Sequence, residues 1–170
     1  IQYYRDRFNG DNMLSSMLKG LIIHTATDAG NAGPDYTYGW GYLDALGAAR
    51  HIETHANNPA AEAMITGTLN GVNPTRSYTY TWDGVSPFRA TLVWTDPAGV
   101  PIATLDDPTP ALVNDLDLRI IAPNGLTTYF PFLLDGSAPS DPATTGDNVV
   151  DNVEQVFIAS PSQAGIYTVT

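Results

Sequence analysis

The chemistry this 170-residue sequence could perform starts with its three histidines, His24, His51 and His55. A serine hydrolase needs a nucleophile, an imidazole base and an orienting carboxylate within mutual hydrogen-bond reach. No serine sits in a Gly-x-Ser-x-Gly setting, and Ser15 and Ser16 fall early in a predicted helix. His24 ends that helix, where the helix dipole favours a protonated ring, so capping or packing explains it better than catalysis. His51-Ile-Glu-Thr-His55 puts two imidazoles on one helical face. The zinc-protease pattern, however, requires Glu directly after the first His, and Glu53 lies two positions on. The pair reads as a solvated helix end, and the sequence holds no self-sufficient active site.

The acidic loops offer a second chemistry. Calcium takes six to eight oxygens from carboxylates, amides and carbonyls. The loop Asp96–Asp115 carries Asp96, Asp106, Asp107, Asn114 and Asp115, and the loop Asp135–Asn152 carries Asp135, Asp141, Asp147, Asn148, Asp151 and Asn152. Asp96, Asn114, Asp115, Asp117, Asp147 and Asp151 are the candidate calcium ligands. Strand alternation puts Asp115 and Asp117 on one face, and the spacing is not that of an EF-hand. The same residue types are also ordinary turn formers.

Composition narrows the field. Seven basic against 18 acidic residues give a net charge of −11. That disfavours nucleic acid and anionic membrane, which need clustered Lys and Arg. With no cysteine, disulfides, thiolate catalysis and cysteine-ligated zinc are excluded. A hydrophobic content of 43% supports a real core. No apolar run approaches the roughly 20 residues of a membrane helix. Ile1-Gln2-Tyr3-Tyr4 does not resemble a signal peptide, so the chain is expected to begin partway through a larger product.

These groups must be positioned by two kinds of structure. Helix is predicted over residues 1 to about 8, over Met13–Ala26 and over Leu43–Thr54, with Asp11 or Asn12 capping the second. Met13, Leu14, Met17, Leu18, Leu21 and Ile22 form its apolar face. Gly20 is either a close-approach point or a tolerated interior glycine. Between the last two helices runs a glycine-rich loop, Asp28–Gly41, with Tyr36, Tyr38 and Trp40 as anchors. Near residues 57–62 the pattern changes to strands: Ala63–Leu69, Arg76–Trp82, Arg89–Thr95, Asp117–Ala122, Thr127–Phe130, Glu154–Ala159 and Gly165–Thr170. Such spacing points to an antiparallel β-sandwich, with the Arg89–Thr95 strand buried on both faces. The last strand ends in mid-pattern, so further strand sequence is expected. Two units follow: an incomplete helical unit over 1–58 and a β-sandwich over 59–170.

Leu18-Lys-Gly-Leu-Ile-Ile-His-Thr-Ala-Thr-Asp28 and Tyr38-Gly-Trp-Gly-Tyr-Leu-Asp-Ala45 resemble the last helices and loop of a subtilisin-like serine protease (subtilase) catalytic domain. Leu92-Val-Trp-Thr-Asp-Pro97, Leu112-Val-Asn-Asp-Leu-Asp-Leu118, Ala122-Pro-Asn-Gly125, Asp151-Asn-Val-Glu-Gln-Val156 and Gly165-Ile-Tyr-Thr-Val169 resemble the C-terminal β-sandwich, or jelly roll, of certain extracellular members. The resemblance implies a mainly β domain preceded by a helical remnant of an α/β catalytic domain. It also implies a secreted endopeptidase parent acting on protein or peptide substrates, and calcium on the sandwich. The family's catalytic residues match no position here, so this chain alone is expected to be inactive. Its partner would be the catalytic domain of the same parent chain. Apolar surface is expected to be exposed on Ile1–Ala49, and it could also support a homo-oligomer. The rival expectation is a carbohydrate- or protein-binding jelly roll, with Tyr78, Tyr80, Trp82 and Trp94 as a stacking platform.

Overall fold

Helix comes first in the chain and strand after it. The computed structural model describes residues 1–170 apart from Asn73, Asp106 and Pro108. Three α-helices, α1 (Gln2–Arg7), α2 (Ser15–Thr25) and α3 (Ala45–Asn57), are followed by a 3₁₀ turn at Pro59–Ala61. The strands are β1 (Tyr78–Trp82), β2 (Phe88–Val93), β3 (Ile120–Ile121), β4 (Thr128–Tyr129), β5 (Phe132–Leu133), β6 (Thr144–Thr145), β7 (Val153–Ile158) and β8 (Gly165–Val169). The protein is mainly β, and its sheets are antiparallel. No helix among the described residues is long and apolar enough to cross a membrane.

One sheet has the order β1-β8-β3-β4, and a second consists of β2 and β7. The side chains that close the core come from both. Phe88 of β2 and Val156 and Ile158 of β7 meet Ile120 of β3 and Tyr167 of β8, with Leu118 and Ala122 beside them. Ile120 and Tyr167 are fully excluded from water, and burying each such side chain contributes about 1.5–3 kcal/mol. Phe88 is the aromatic hub. Trp82 stacks on it at 4.7 Å, while Tyr80 and Tyr167 approach edge-on at 5.9 and 5.5 Å. The Trp82 indole N–H donates to Ser86 O and the Tyr80 hydroxyl to Glu62 O, so both rings keep a polar partner at the core's margin.

β2 is covered on both faces, as its sequence predicts. Phe88, Ala90 and Leu92 pack into the core, and α2 lies on the opposite face. There Gly20 faces Val93, and an added Cβ would stand at an ordinary contact distance of 3.5 Å from its Cγ2. Of the two readings of Gly20, the structure fits the tolerated interior glycine. α2 is also in contact with α3, so it buries Leu21 and Ile23 while Ile22 and Leu14 stay exposed. This corrects the predicted stripe: a helix held between a strand and another helix turns a different arc inward. The predicted side-chain cap fails too, because Leu14 occupies the N-cap position of α2 without a capping bond. α3 does have one, from Asp44 to the Gly47 N–H at 2.8 Å.

Three strand expectations change. Ala63–Leu69 forms no strand, Asp117–Ala122 shrinks to Ile120–Ile121, and the unpredicted pair β5–β6 forms a small separate sheet. Apolar side chains are exposed on the helical segment as expected, among them Leu14, Tyr36, Tyr42, Leu43 and Leu46.

Candidate functional site

The six residues predicted to hold calcium fall into separate hydrogen-bonded groups. Asp96, just past β2, ties down the returning loop. Its carboxylate accepts the Val113 N–H at 2.6 Å, the Asn114 N–H at 3.0 Å and the Asn114 side-chain amide at 2.7 Å. These bonds hold the Asp96 carboxyl below the usual range against the opposing effect of desolvation. Trp94 closes the same corner, its indole N–H donating to Asn114 O at 3.1 Å. Asp115 is exposed. Asp151 accepts from the Asn148 amide at 3.1 Å, and the Asn148 oxygen accepts the Val150 and Asp151 N–H groups. Asp106 lies outside the described residues.

Asp117 and Asp147 do come together, around a cation already in the chain. Arg119, just before β3, reaches Asp117 Oδ1 at 2.7 Å and bonds closely to Asp147 Oδ1. Its guanidinium also donates to Leu118 O at 2.9 Å and lies 4.9 Å from the centre of the Phe130 ring. The two carboxyls respond unequally. Burial and the neighbouring Asp147 raise Asp117, with Arg119 opposing, while hydrogen bonds to Asp117 and Arg119 lower Asp147.

A third carboxyl, Glu154 of β7, completes this cluster from inside the core. Glu154 is fully buried, opposite Leu92 in the β2–β7 register. Its Oε2 accepts the Leu118 N–H at 2.5 Å and lies 3.7 Å from the Arg119 guanidinium, while Oε1 is buried without a partner. Burial pushes this carboxyl up to about 7; the Leu118 N–H and Arg119 lower it, and Asp117 and Asp147 add to the rise. The sequence reading missed Glu154 as a site residue. The available signal was an acid in Val153-Glu-Gln-Val-Phe-Ile158, a strand with only Gln155 as a second polar residue. As arranged, the cluster is centred on a guanidinium. Among the described residues no three His, Asp or Glu side chains are disposed to hold a metal ion.

The histidines differ from expectation in part. For His24 the structure takes the packing alternative over the protonated cap. Burial, His51 and Arg89 together hold its ring down to about 3, and its Nδ1 lies 3.0 Å from the Thr91 hydroxyl of β2. His51 and His55 are not solvated: His51 Nε2 lies 3.0 Å from Ala63 O, and His55 Nδ1 is buried.

The glycine-rich loop is held by Asp35, whose buried carboxylate accepts the N–H groups of Asn31, Thr37 and Tyr38 at 3.0, 2.8 and 2.6 Å. These bonds keep Asp35 below the usual carboxylate range. Behind the loop, Trp40 meets Phe132 edge-on at 6.4 Å, and Gly33 (φ +80°) lies so close to that ring that any Cβ would strike it. A cleft of about 140 Å³ lies between Trp40, Phe132, Leu134, Asn148 and Asp151.

No protein-family model matches the chain. The serine protease/ABC transporter B family protein tagA of Dictyostelium discoideum is 31% identical to it over 136 residues, covering 71% of this chain and 7% of that relative. The chain spans a small fraction of the length of the relative it matches, and the match reaches well beyond any single motif. No nucleophile, imidazole and carboxylate are joined by the hydrogen bonds described above.

Proposed function

We propose that the chain is a C-terminal part of a secreted subtilisin-like serine endopeptidase. In this reading residues 1–58 close the catalytic domain and residues 59–170 form a sandwich that steadies it. The parent would cleave peptide bonds through an acyl-enzyme on a serine outside this chain. The observation that carries the reading is the docking of α2 along the outer face of β2, with Gly20 on Val93 and His24 on Thr91. Docking of this kind makes the sandwich a brace for the helices that would back the nucleophile. The protease-related match supports the same reading. The exposed Leu14, Tyr42, Leu43 and Leu46 offer a surface on which a catalytic sheet, or a second copy of the chain, could pack. The binding-module alternative has less to draw on, because Tyr80 and Trp82 pack against the core and Trp94 closes the Asp96 corner.

The test is the polypeptide that precedes Ile1 in the full-length gene product. The reading expects Gly-Thr-Ser followed by a helix start within roughly 10–20 residues, because that helix should run into Ile1. A different preceding domain would overturn it. A signal peptide joined directly to Ile1 would favour the binding module. Calcium belongs to this proposal through the Asp96–Asn114 corner and the exposed Asp115 and Asp151; at Asp117 and Asp147 an ion would have to displace Arg119. Calcium at a hundred times its dissociation constant should stabilise the fold by about 2.7 kcal/mol. Thermal unfolding that is identical in millimolar calcium and in chelator would remove calcium from the reading.

A further inference from the structure

All three histidines of the chain lie in its helical segment, and they share one interface. The His24 ring of α2 stands 4.8 Å from the His51 ring of α3, centre to centre. His55, one turn further along α3, packs on Phe8, just past α1, at 5.6 Å, and its Nδ1 is buried without a partner. From the sheet side, Thr91 of β2 faces His24 Nδ1, and Gln155 of β7 donates to the same Thr91 oxygen at 2.9 Å. The Thr91 hydroxyl, with one proton and two lone pairs, can donate to a neutral His24 Nδ1 while it accepts from Gln155.

The charged groups around His24 all oppose a proton. Arg89 of β2 donates to His24 O at 2.6 Å and covers the Phe157 ring of β7 at 4.6 Å. His51 acts on His24 and His55 alike, lowering both, with burial the larger cause at each. Asp28 acts on Arg89, favouring its charge against the effect of burial. On the α1 side Arg7 is bonded to Asn57 at 2.7 Å.

We infer that this histidine interface is an acid-sensitive latch, and that acidification releases the helical layer from the β2–β7 face while the β core stays folded. The sign follows from proton linkage. A base held neutral by the fold binds fewer protons folded than unfolded. Its contribution is therefore complete above the ordinary imidazole range near 6.5 and drains away as pH falls toward 3. The strands contain no histidine, so this pull acts on the helices alone.

The test is amide hydrogen exchange on the intact chain, corrected for intrinsic rates, at pH 7.5 and 4.5. For His24 alone, linkage raises the helix-opening equilibrium about 100-fold between these values. Protection in α2 and α3 should fall by that order while protection in β2, β7 and β8 is kept. The variant His24→Gln, which can still pair with Thr91, should lose most of this pH dependence. Helical and strand amides losing protection together would overturn the inference, as would equal responses in wild type and variant. Should the variant fold poorly, NMR titration of the wild-type rings decides. A His24 ring that stays neutral to pH 4 while the protein is folded supports the latch, and one that titrates near 6.5 in the folded protein refutes it.

Discussion

Replacing Glu154 by Gln isolates what a buried charge does to this fold. The wild-type carboxyl is fully buried, bonded through one oxygen to Leu118 N–H and orphaned at the other, and is raised from 4.5 to about 7. An acid raised in this way binds its proton more tightly folded than unfolded. Its favourable contribution is thus complete below the unfolded value and is lost as pH climbs through the folded one. A shift of that size corresponds to at most about 3 kcal/mol, which nearby solvent and charges reduce to about 2 kcal/mol. Glutamine keeps the bond to Leu118 and carries no charge, but its amide nitrogen takes the orphaned position at a cost of about 1 kcal/mol. The expected outcome at pH 8 is a variant more stable than wild type by about 1 kcal/mol, or about 2–4 °C in Tm for a chain of this size. At pH 4 the difference should vanish or reverse. Urea unfolding followed by circular dichroism from pH 4 to 8 measures it, and the difference between the two proteins cancels the other titrating groups. A variant at least 1 kcal/mol less stable at pH 8, or a difference that does not vary with pH, would show that Glu154 is not held as a costly carboxylate.

Removing the cation should do the reverse: Arg119→Met leaves Glu154, Asp117 and Asp147 without their counter-charge and should cost about 3–5 kcal/mol at pH 8, with part regained at pH 4 as the carboxyls protonate. Unfolding midpoints at both pH values check this, and a loss equal at both would refute it. Gly20→Ala places a methyl at ordinary contact distance from Val93 in a helix interior and should stabilise by about 0.5–1 kcal/mol. Gly84→Ala should destabilise by well over about 1 kcal/mol, because Gly84 has φ +73° and its Cβ would fall 2.4 Å from Ala164 N. Parallel thermal melts of the two variants would expose an error in either packing argument.

The parts of this fold legible in sequence are those where one periodicity dominates. Tyr80 and Trp82 alternate with threonines and pack against the core as alternation requires, with Tyr78 half-buried on the same side. In β2, Phe88, Ala90 and Leu92 enter the core while Arg89 and Thr91 on the other face are covered by α2. Asp117–Ala122 shortens as a strand because Asp117 and Leu118 answer to the Arg119 and Glu154 side chains, and backbone pairing with the end of β8 starts only at Arg119. β5 and β6 are two residues each, too short to carry a period. Among the candidate site residues, Asp96 with Asn114 and Asp117 with Asp147 were found by type. What sequence could not reveal was the opposing charge: Arg119 sits two residues from Asp117 in the chain, yet its reach to Asp147 and Glu154 exists only after folding. For His24 the sequence left capping and packing open, and helix position alone could not choose between them, because the strand that covers it arrives only on folding.

The position of β8 has a consequence for how the molecule comes into being. It pairs with β1 on one side and β3 on the other, so the latest strand in the chain occupies the interior of the larger sheet. β2 likewise waits for β7, across both acidic loops and the four short strands between them. Emerging from the ribosome, β1 and β2 therefore have no strand partners, and Phe88 has no complete core to enter, until β7 and β8 have followed. The helices, built from local contacts, can form long before. The sandwich must assemble late and in one step, with exposed aromatic strand edges in the interval, which is the stage at which such a chain is most open to aggregation or to chaperones.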